Sequence, residues 1–199
     1  FLVIIGSARV LSLTSWRHDI ERDAKTLIGM AASDISKTVM LAGENVTKAV
    51  AQDVLDQLRR RAVLDAGYVV AITDATFKVL AVAPRSTGWL GGHLDRIVSG
   101  GQTLFLFGER AGVVDVQIGD ARWFAAVNIA GNGVGATAVM IPTDVVFAEW
   151  RESVSLNLTL FLLTAVVLLV ILYAYFSQAA RAQAADRIFA EAHQRIDLA

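Results

Sequence analysis

The chain has 199 residues, a formal net charge of −1, 55% hydrophobic residues and a positive mean hydropathy of +0.52. The near-neutral charge gives no basic field for nucleic acid, and the absence of cysteine excludes disulfides, thiol catalysis and cysteine-ligated metals. The hydrophobic content exceeds that of an average soluble domain, so part of the chain needs an apolar environment. The three histidines lie far apart in the sequence, so a histidine-based metal site is not expected.

The first residues, FLVIIGSARVLSLTSW, are apolar but too few to cross a bilayer. We interpret residues 1–16 as the outer end of a first transmembrane helix whose beginning is missing, with Arg9 able to reach the interface. A truncated signal peptide is the alternative interpretation. Because the chain starts at Phe1 and stops in the middle of a pattern, we expect it to be a fragment of a longer protein.

After Trp16 the spacing of apolar residues predicts two long amphipathic helices, ending near residues 66–67. Gly43 and Asn45, in LAGEN, are suited to end the first helix and cap the second. The apolar stripes are Ile20, Ala24, Leu27, Ala31, Ile35 and Val39, then Val46, Val50, Val54, Leu58 and Ala62. Such a stripe serves either as a dimer seam or as the face that packs on a sheet.

The segment from residue 68 to residue 142 predicts an antiparallel sheet of five or six strands. YVVAITDATFKVLAVAP predicts a hairpin with its turn at residues 74–76, and GVVDVQIGDARWFAAVNIAG predicts a second hairpin around Gly119 and Asp120. Between the hairpins we expect a glycine-rich loop with a short helix near residues 94–98, then a possible strand in TLFLF. VGATAVMI predicts the last strand, and Pro142 with Thr143 predicts the start of an exit helix.

Residues 153–177 contain no charged side chain and predict a transmembrane helix of sufficient length for a bilayer. Arg181, Arg187 and Arg195 follow this segment, whereas Arg151 alone closely precedes it. The positive-inside tendency then places the C-terminal side in the cytoplasm and residues 17–150 outside it. The sequence therefore predicts an α+β extracytoplasmic domain anchored in a lipid bilayer.

Residues 178–199 predict a cytoplasmic signalling helix that forms a short coiled-coil linker. Small and apolar residues alternate spacings of three and four, which is typical of a parallel two-stranded seam. The predicted signal-transmission seam consists of Ala182, Ala185, Phe189, Ala192 and Ile196.

The order of these elements resembles that of extracytoplasmic PAS-like sensor domains, the Cache or PDC group. YVVAITDATFKVLAVAP resembles their opening hairpin, TGWLGGHL matches the glycine-rich segment after it, and ATAVMIPTDVV resembles their last strand returning to the membrane. The resemblance covers about residues 17–150. The tail AADRIFAEAHQRIDLA resembles the linker entering a cytoplasmic PAS module in alphaproteobacterial sensor histidine kinases of the PleC type.

The resemblance implies the sensory and transmembrane module of a homodimeric two-component sensor histidine kinase. Its sensor domain would lie in the periplasm, and it would be anchored in the bacterial inner membrane. ATP and Mg²⁺, and a response regulator partner, would belong to a kinase part beyond residue 199. One alternative is the same module on a chemoreceptor or a cyclic-dinucleotide enzyme. Another is a protein-docking or localisation module with no small ligand, which a pocket filled by the protein's own side chains would favour.

PAS-like outer domains usually bind small molecules between the sheet and the loops that face it, so the resemblance implies a ligand site there. An arginine fork suits a carboxylate, and Trp89 could close over a ligand; the expected ligand is a small carboxylate or an extracytoplasmic protein. Tyr68 and Trp123 are more simply core aromatics. The candidate ligand-binding residues are Arg85, Trp89, His93, Arg110, Asp115 and Arg122.

No catalytic constellation is visible in the sequence, which contains no phosphate-binding glycine-lysine loop. His193 lies in EAHQRID, which lacks the His-Glu and Thr-Pro pattern of a kinase phosphoacceptor, so we expect an ordinary helix histidine. We therefore expect no catalytic residue, cofactor or metal in this fragment, and any enzymatic activity belongs to the missing part.

Overall fold

A computed structural model describes residues 2–41, 47–60, 67–129 and 134–196 of the chain. The chain divides into two units, Phe1–Trp150 and Arg151–Ala199. The first unit contains one mixed domain, and the second consists of helix in its described part. Gly43 and Asn45, predicted to separate the first two helices, lie outside the described residues.

The first unit contains a five-stranded antiparallel sheet in the order β2-β1-β5-β4-β3. The strands are β1 (Val69–Asp74), β2 (Val79–Ala83), β3 (Val113–Ile118), β4 (Ala121–Ile129) and β5 (Val134–Pro142). Both predicted hairpins are confirmed, with Val70 paired to Ala83 and Val116 paired to Trp123. The central strands read as apolar runs because they are buried on both faces.

The first sheet face packs against α1 (Leu2–Leu41) and α2 (Lys48–Arg60). The strands supply alternate residues to this face, which include Val70, Phe124, Val139 and Ile141. The helices supply Ile28, Ala32, Ile35, Val39, Ala51, Val54, Leu55 and Leu58, all buried. The prediction that helices cover a sheet face is therefore confirmed.

In the predicted stripe on α1, Ile35 and Val39 are buried on the sheet, as one of the two interpretations requires, but Leu27 does not belong to that face, because it is 57% exposed while its neighbour Ile28 is fully buried. An ideal helix turns 100° per residue, so a one-residue error rotates the assigned face substantially. The sequence carries apolar residues on two sides of α1, and periodicity alone does not say which side meets the sheet. The helix also runs without a break from Leu2 through Trp16, joining the two segments that we assigned separately.

The second sheet face is covered by α3 (Leu94–Ile97), α4 (Gln102–Phe107) and the loops around them. The short helix near residue 94 is confirmed, but the possible strand in TLFLF is wrong, because these residues form α4. Leu104 points into the core and is fully buried, whereas Leu106 is 75% exposed. An apolar run of five residues fits either a strand or a helix until its neighbours decide.

The sheet ends at Pro142, and the chain continues through α5 (Thr143–Val146) into α6 (Ala148–Ile196), as expected for an exit helix. Within the described residues, one segment, Ala148–Arg181, is long and apolar enough to cross a membrane. The backbone remains helical through the predicted seam to Ile196, but the side chains of the seam residues lie outside those described.

Candidate functional site

The six candidate ligand-binding residues do not converge on one site. Arg85 follows β2 and Asp115 lies on β3, and these strands form opposite edges of the sheet. With neighbouring strands about 4.8 Å apart, the two edges are separated by roughly 19 Å. The candidate residues therefore lie at separate places on the domain.

Trp89 and Trp123 lie together at the second sheet face, with ring centroids 5.9 Å apart. The space between this face and its loops is occupied by the protein's own side chains, including Val98, Leu104 and Met140. Phe77 and Phe105 close the same layer edge to face, with centroids 5.1 Å apart. The place where the resemblance implied a ligand is thus a packed hydrophobic core.

One polar atom in this core has no hydrogen-bond partner. The indole nitrogen of Trp123 is buried and donates to no acceptor in the described structure. Leaving a buried donor unpaired normally costs free energy.

Asp115, at the β3 edge, is engaged in a charge cluster. The ammonium of Lys25 on α1 lies 2.7 Å from the carboxylate of Glu21 and 3.3 Å from that of Asp115. Burial acts to lower the pKa of Lys25, but the hydrogen bonds to Glu21 and Asp115 outweigh it and raise this pKa; the hydrogen bond from Lys25 lowers the pKa of Glu21. Asp115 is therefore placed to hold α1 on the sheet, beside a groove lined by His18, Glu21, Arg22, Lys25, Thr26 and Val113.

Arg85 lies at the opposite edge, beside a second groove between α2 and β2. This groove has a volume of about 510 Å³. Its lining residues are Lys48, Ala49, Gln52, Val82, Arg85 and Leu90. Arg85 is the one predicted site residue that lines this groove.

The other three candidates have local surroundings. The Nδ1 atom of His93 lies 3.2 Å from the carbonyl oxygen of Thr76, beside the first hairpin. Arg110 is exposed on a short 3-10 turn, and the backbone carbonyl of Arg122 accepts a hydrogen bond from the hydroxyl of Thr143. None of these contacts brings the three side chains to a common ligand.

Sequence reasoning missed the contacts that surround the start of α6. The guanidinium of Arg17 lies 5.2 Å from the ring centroid of Phe147 and 5.5 Å from that of Trp150. We call these three residues the aromatic clamp. Phe147 also packs edge to face on Phe124, and the ammonium of Lys25 lies 4.8 Å above the Phe124 ring. Arg17 lies 130 or more positions from both aromatic residues, so no local sequence pattern indicates that they meet. Only the three-dimensional structure shows this cluster.

The described residues contain no group of three or more histidine, aspartate or glutamate side chains that could hold a metal ion.

No protein-family model matches the chain, and no curated protein matches its sequence. A solved structure with some similarity is an extracellular ligand binding receptor from Desulfohalobium retbaense DSM5692, with 17% sequence identity and a TM-score of 0.46. The match covers 69% of this chain and spans only about a quarter, 25%, of the receptor chain. A likeness of this extent establishes neither a family nor a function.

Proposed function

We propose that this chain is the sensory and transmembrane signalling module of a two-component sensor histidine kinase. In this proposal a PAS-like domain detects an extracytoplasmic ligand or partner in the periplasm, and α6 crosses the inner membrane. The relay is a movement of α6, which reaches a cytoplasmic kinase through the seam from Ala182 to Ile196. The kinase, its ATP and Mg²⁺, and its response regulator belong to sequence beyond Ala199.

The observation that carries this proposal is the direct connection between the sheet and the candidate membrane helix. The central strand β5 leads through Pro142 and α5 into α6, and the aromatic clamp ties the first residues of α6 to α1. A change in the packing of the sheet therefore has a short mechanical route to α6. If α6 has two positions in equilibrium, a ligand shifts it from one to the other when it binds one of the two states more tightly by a few kcal/mol.

A homodimer is part of the proposal, and α1 offers a surface for it. The side of α1 away from the sheet carries Leu13, Trp16, Ile20, Leu27 and Met30 at spacings of three, four, seven and three, with Asp23 at the position between Ile20 and Leu27. Leu27 and Met30 are 57% and 64% exposed. This spacing suits a parallel pair of helices, while the opposite side of α1 stays on the sheet.

A second candidate function is a docking or localisation module that recognises a protein and no small ligand. The filled second face of the sheet favours this alternative, because side chains of the domain occupy the space where a ligand would lie. Its discriminating experiment is to seek a partner protein that alters the output of the parent when no small molecule does.

The kinase output is tested by incubating the uncut parent protein, in membranes, with radiolabelled ATP. We expect a label that is labile in acid and stable in alkali, as phosphohistidine is. The same protein without its phosphoacceptor histidine is the control. A folded parent that stays unlabelled across a panel of stimuli would favour the chemoreceptor or cyclic-dinucleotide output instead, and the sequence beyond Ala199 would distinguish those two.

A further inference from the structure

The groove between α2 and β2 differs in character from the packed second face of the sheet. β2 is an edge strand, and Lys48, Ala49 and Gln52 of α2 border its outer side. Leu90 contributes apolar surface, whereas Val82, although it borders the groove, is 1% exposed. With a volume of about 510 Å³, the groove falls in the usual size range of small-molecule sites.

The charges in this groove all have one sign. Lys48 and Arg85 are both exposed and line it, and among the described residues no aspartate or glutamate does. Within the described part of the chain, neither cation forms an ion pair, in contrast to Lys25, which has two carboxylate neighbours. An anion entering the groove would therefore find two cations without displacing a carboxylate of the protein.

The uncharged residues that line the groove indicate what else, besides an anionic group, a ligand would carry. The amide nitrogen of Gln52 donates to Asp56 at 3.2 Å, which orients the amide group beside the groove. Leu90 is 48% exposed, a large fraction for a leucine, and Ala49 is also exposed. An apolar body that covers Leu90 and Ala49 would gain hydrophobic burial.

We propose that this groove binds a monocarboxylate with an apolar body, such as an arylalkanoic acid. Arg85 and Lys48 hold the carboxylate through charge-assisted hydrogen bonds, and the apolar body lies on Leu90 and Ala49. The site lies at the sheet edge, outside the packed face between sheet and loops. This ligand class rests on the proposed sensing role. Binding can nevertheless be measured on this chain alone, without a kinase.

The experiment measures binding of 3-phenylpropionate to the 199-residue chain in lipid nanodiscs by isothermal titration calorimetry, with empty nanodiscs as the blank. We expect saturable binding that is at least tenfold tighter than that of the uncharged 3-phenylpropionamide and of acetate. Tenfold corresponds to the loss of one charge-assisted hydrogen bond. Equal binding of acid and amide would overturn the proposal, as would no saturation up to millimolar acid.

Variants locate the site. Arg85→Gln and Lys48→Gln should each weaken binding about tenfold. Arg96→Gln, which removes one exposed positive charge elsewhere, should leave it unchanged. Ala49→Trp, at an exposed helix position, should block binding by filling the groove while the circular dichroism spectrum stays that of the wild type. Unaltered binding in Ala49→Trp, or equal losses in Arg85→Gln and Arg96→Gln, would place the ligand elsewhere and overturn the assignment.

The proposed kinase function can fail independently. Absence of phosphohistidine in the parent would remove the kinase output but leave a measured carboxylate site in place. A labelled parent whose chain binds no carboxylate would instead retain the kinase and remove the groove assignment.

Discussion

The indole N–H of Trp150 donates a hydrogen bond of 2.9 Å to the backbone carbonyl oxygen of Leu13. The two residues are 137 positions apart, and they join α1 to the first turn of α6. The guanidinium of Arg17, one turn further along α1, lies over the same indole ring. Two residues of α1, Leu13 and Arg17, therefore contact the Trp150 side chain. The Phe147 ring packs on Trp150 and also on Phe124 of the sheet.

Removing the cation from the aromatic clamp should weaken the first unit. Each exposed cation–π contact contributes about 0.5–1 kcal/mol, so Arg17→Gln should reduce the free energy of unfolding by about 1 kcal/mol. Arg22→Gln is the matched control, because Arg22 forms an exposed ion pair with Asp19 at 3.7 Å and should cost less than about 0.5 kcal/mol. Denaturant unfolding of the detergent-solubilised chain measures both, and equal losses would contradict a stabilising clamp.

The assignment of residues 102–107 to a helix can be tested with two leucines. In α4 Leu104 is fully buried and Leu106 is exposed, whereas in a strand the two side chains would share one face. Leu104→Ala should cost about 2–5 kcal/mol and Leu106→Ala less than about 0.5 kcal/mol. Chemical unfolding of the two variants measures the difference. Similar large losses in both would favour the strand that the sequence suggested.

The turn of the first hairpin should contribute stability that depends on pH. The carboxylate Oδ1 of Asp74 accepts hydrogen bonds from the backbone N–H groups of Thr76 and Lys78 and from the Thr76 hydroxyl, at 2.8, 3.0 and 2.6 Å. Burial acts to raise the pKa of Asp74, but these hydrogen bonds outweigh it and lower the pKa below its ordinary value.

A carboxyl whose pKa is lowered by folding binds more protons in the unfolded chain, so its contribution exists above the unfolded pKa and disappears as pH falls through the folded pKa. At pH 7, Asp74→Ala should therefore lower the free energy of unfolding by about 1 kcal/mol. The gap between wild type and variant should shrink steadily below about pH 4. Unfolding curves at a series of pH values measure it, and a gap independent of pH would show that charge plays no part in the turn.

Cysteine crosslinking can identify the face of α1 that meets a second copy. The natural sequence has no cysteine, so each single substitution provides the only thiol in the chain. Leu27→Cys and Met30→Cys should form disulfide-linked dimers in membranes. Met40→Cys should not, because Met40 is 47% exposed but lies about 140° from Leu27 around an ideal helix. Crosslinking at residue 40 with none at residues 27 and 30 would move the proposed dimer interface to another face of α1.

Much of the fold follows from local patterns in the sequence. The hairpin around Asp74 combines β-branched runs with a turn residue whose carboxylate accepts a hydrogen bond from the backbone N–H of Thr76. The hairpin around Gly119 has a positive φ of 60° at that position, which glycine adopts readily. The helix from Ala148 to Arg181 follows from its composition, because an uninterrupted apolar run buries its backbone polar groups only as a helix. These elements depend on neighbours in sequence, which is why they could be predicted.

What the sequence left open depends on partners far away along the chain. Packing on the sheet buries Ile28 of α1 and leaves its neighbour Leu27 exposed, and Leu104 of α4 is buried in the core on the second sheet face. The candidate residues from Arg85 to Arg122 were grouped by chemical type, yet strand order places Arg85 and Asp115 on opposite edges. Local periodicity determines which residues prefer burial, whereas tertiary packing alone decides which of them meet, because contacts between distant segments leave no trace in the spacing of either one.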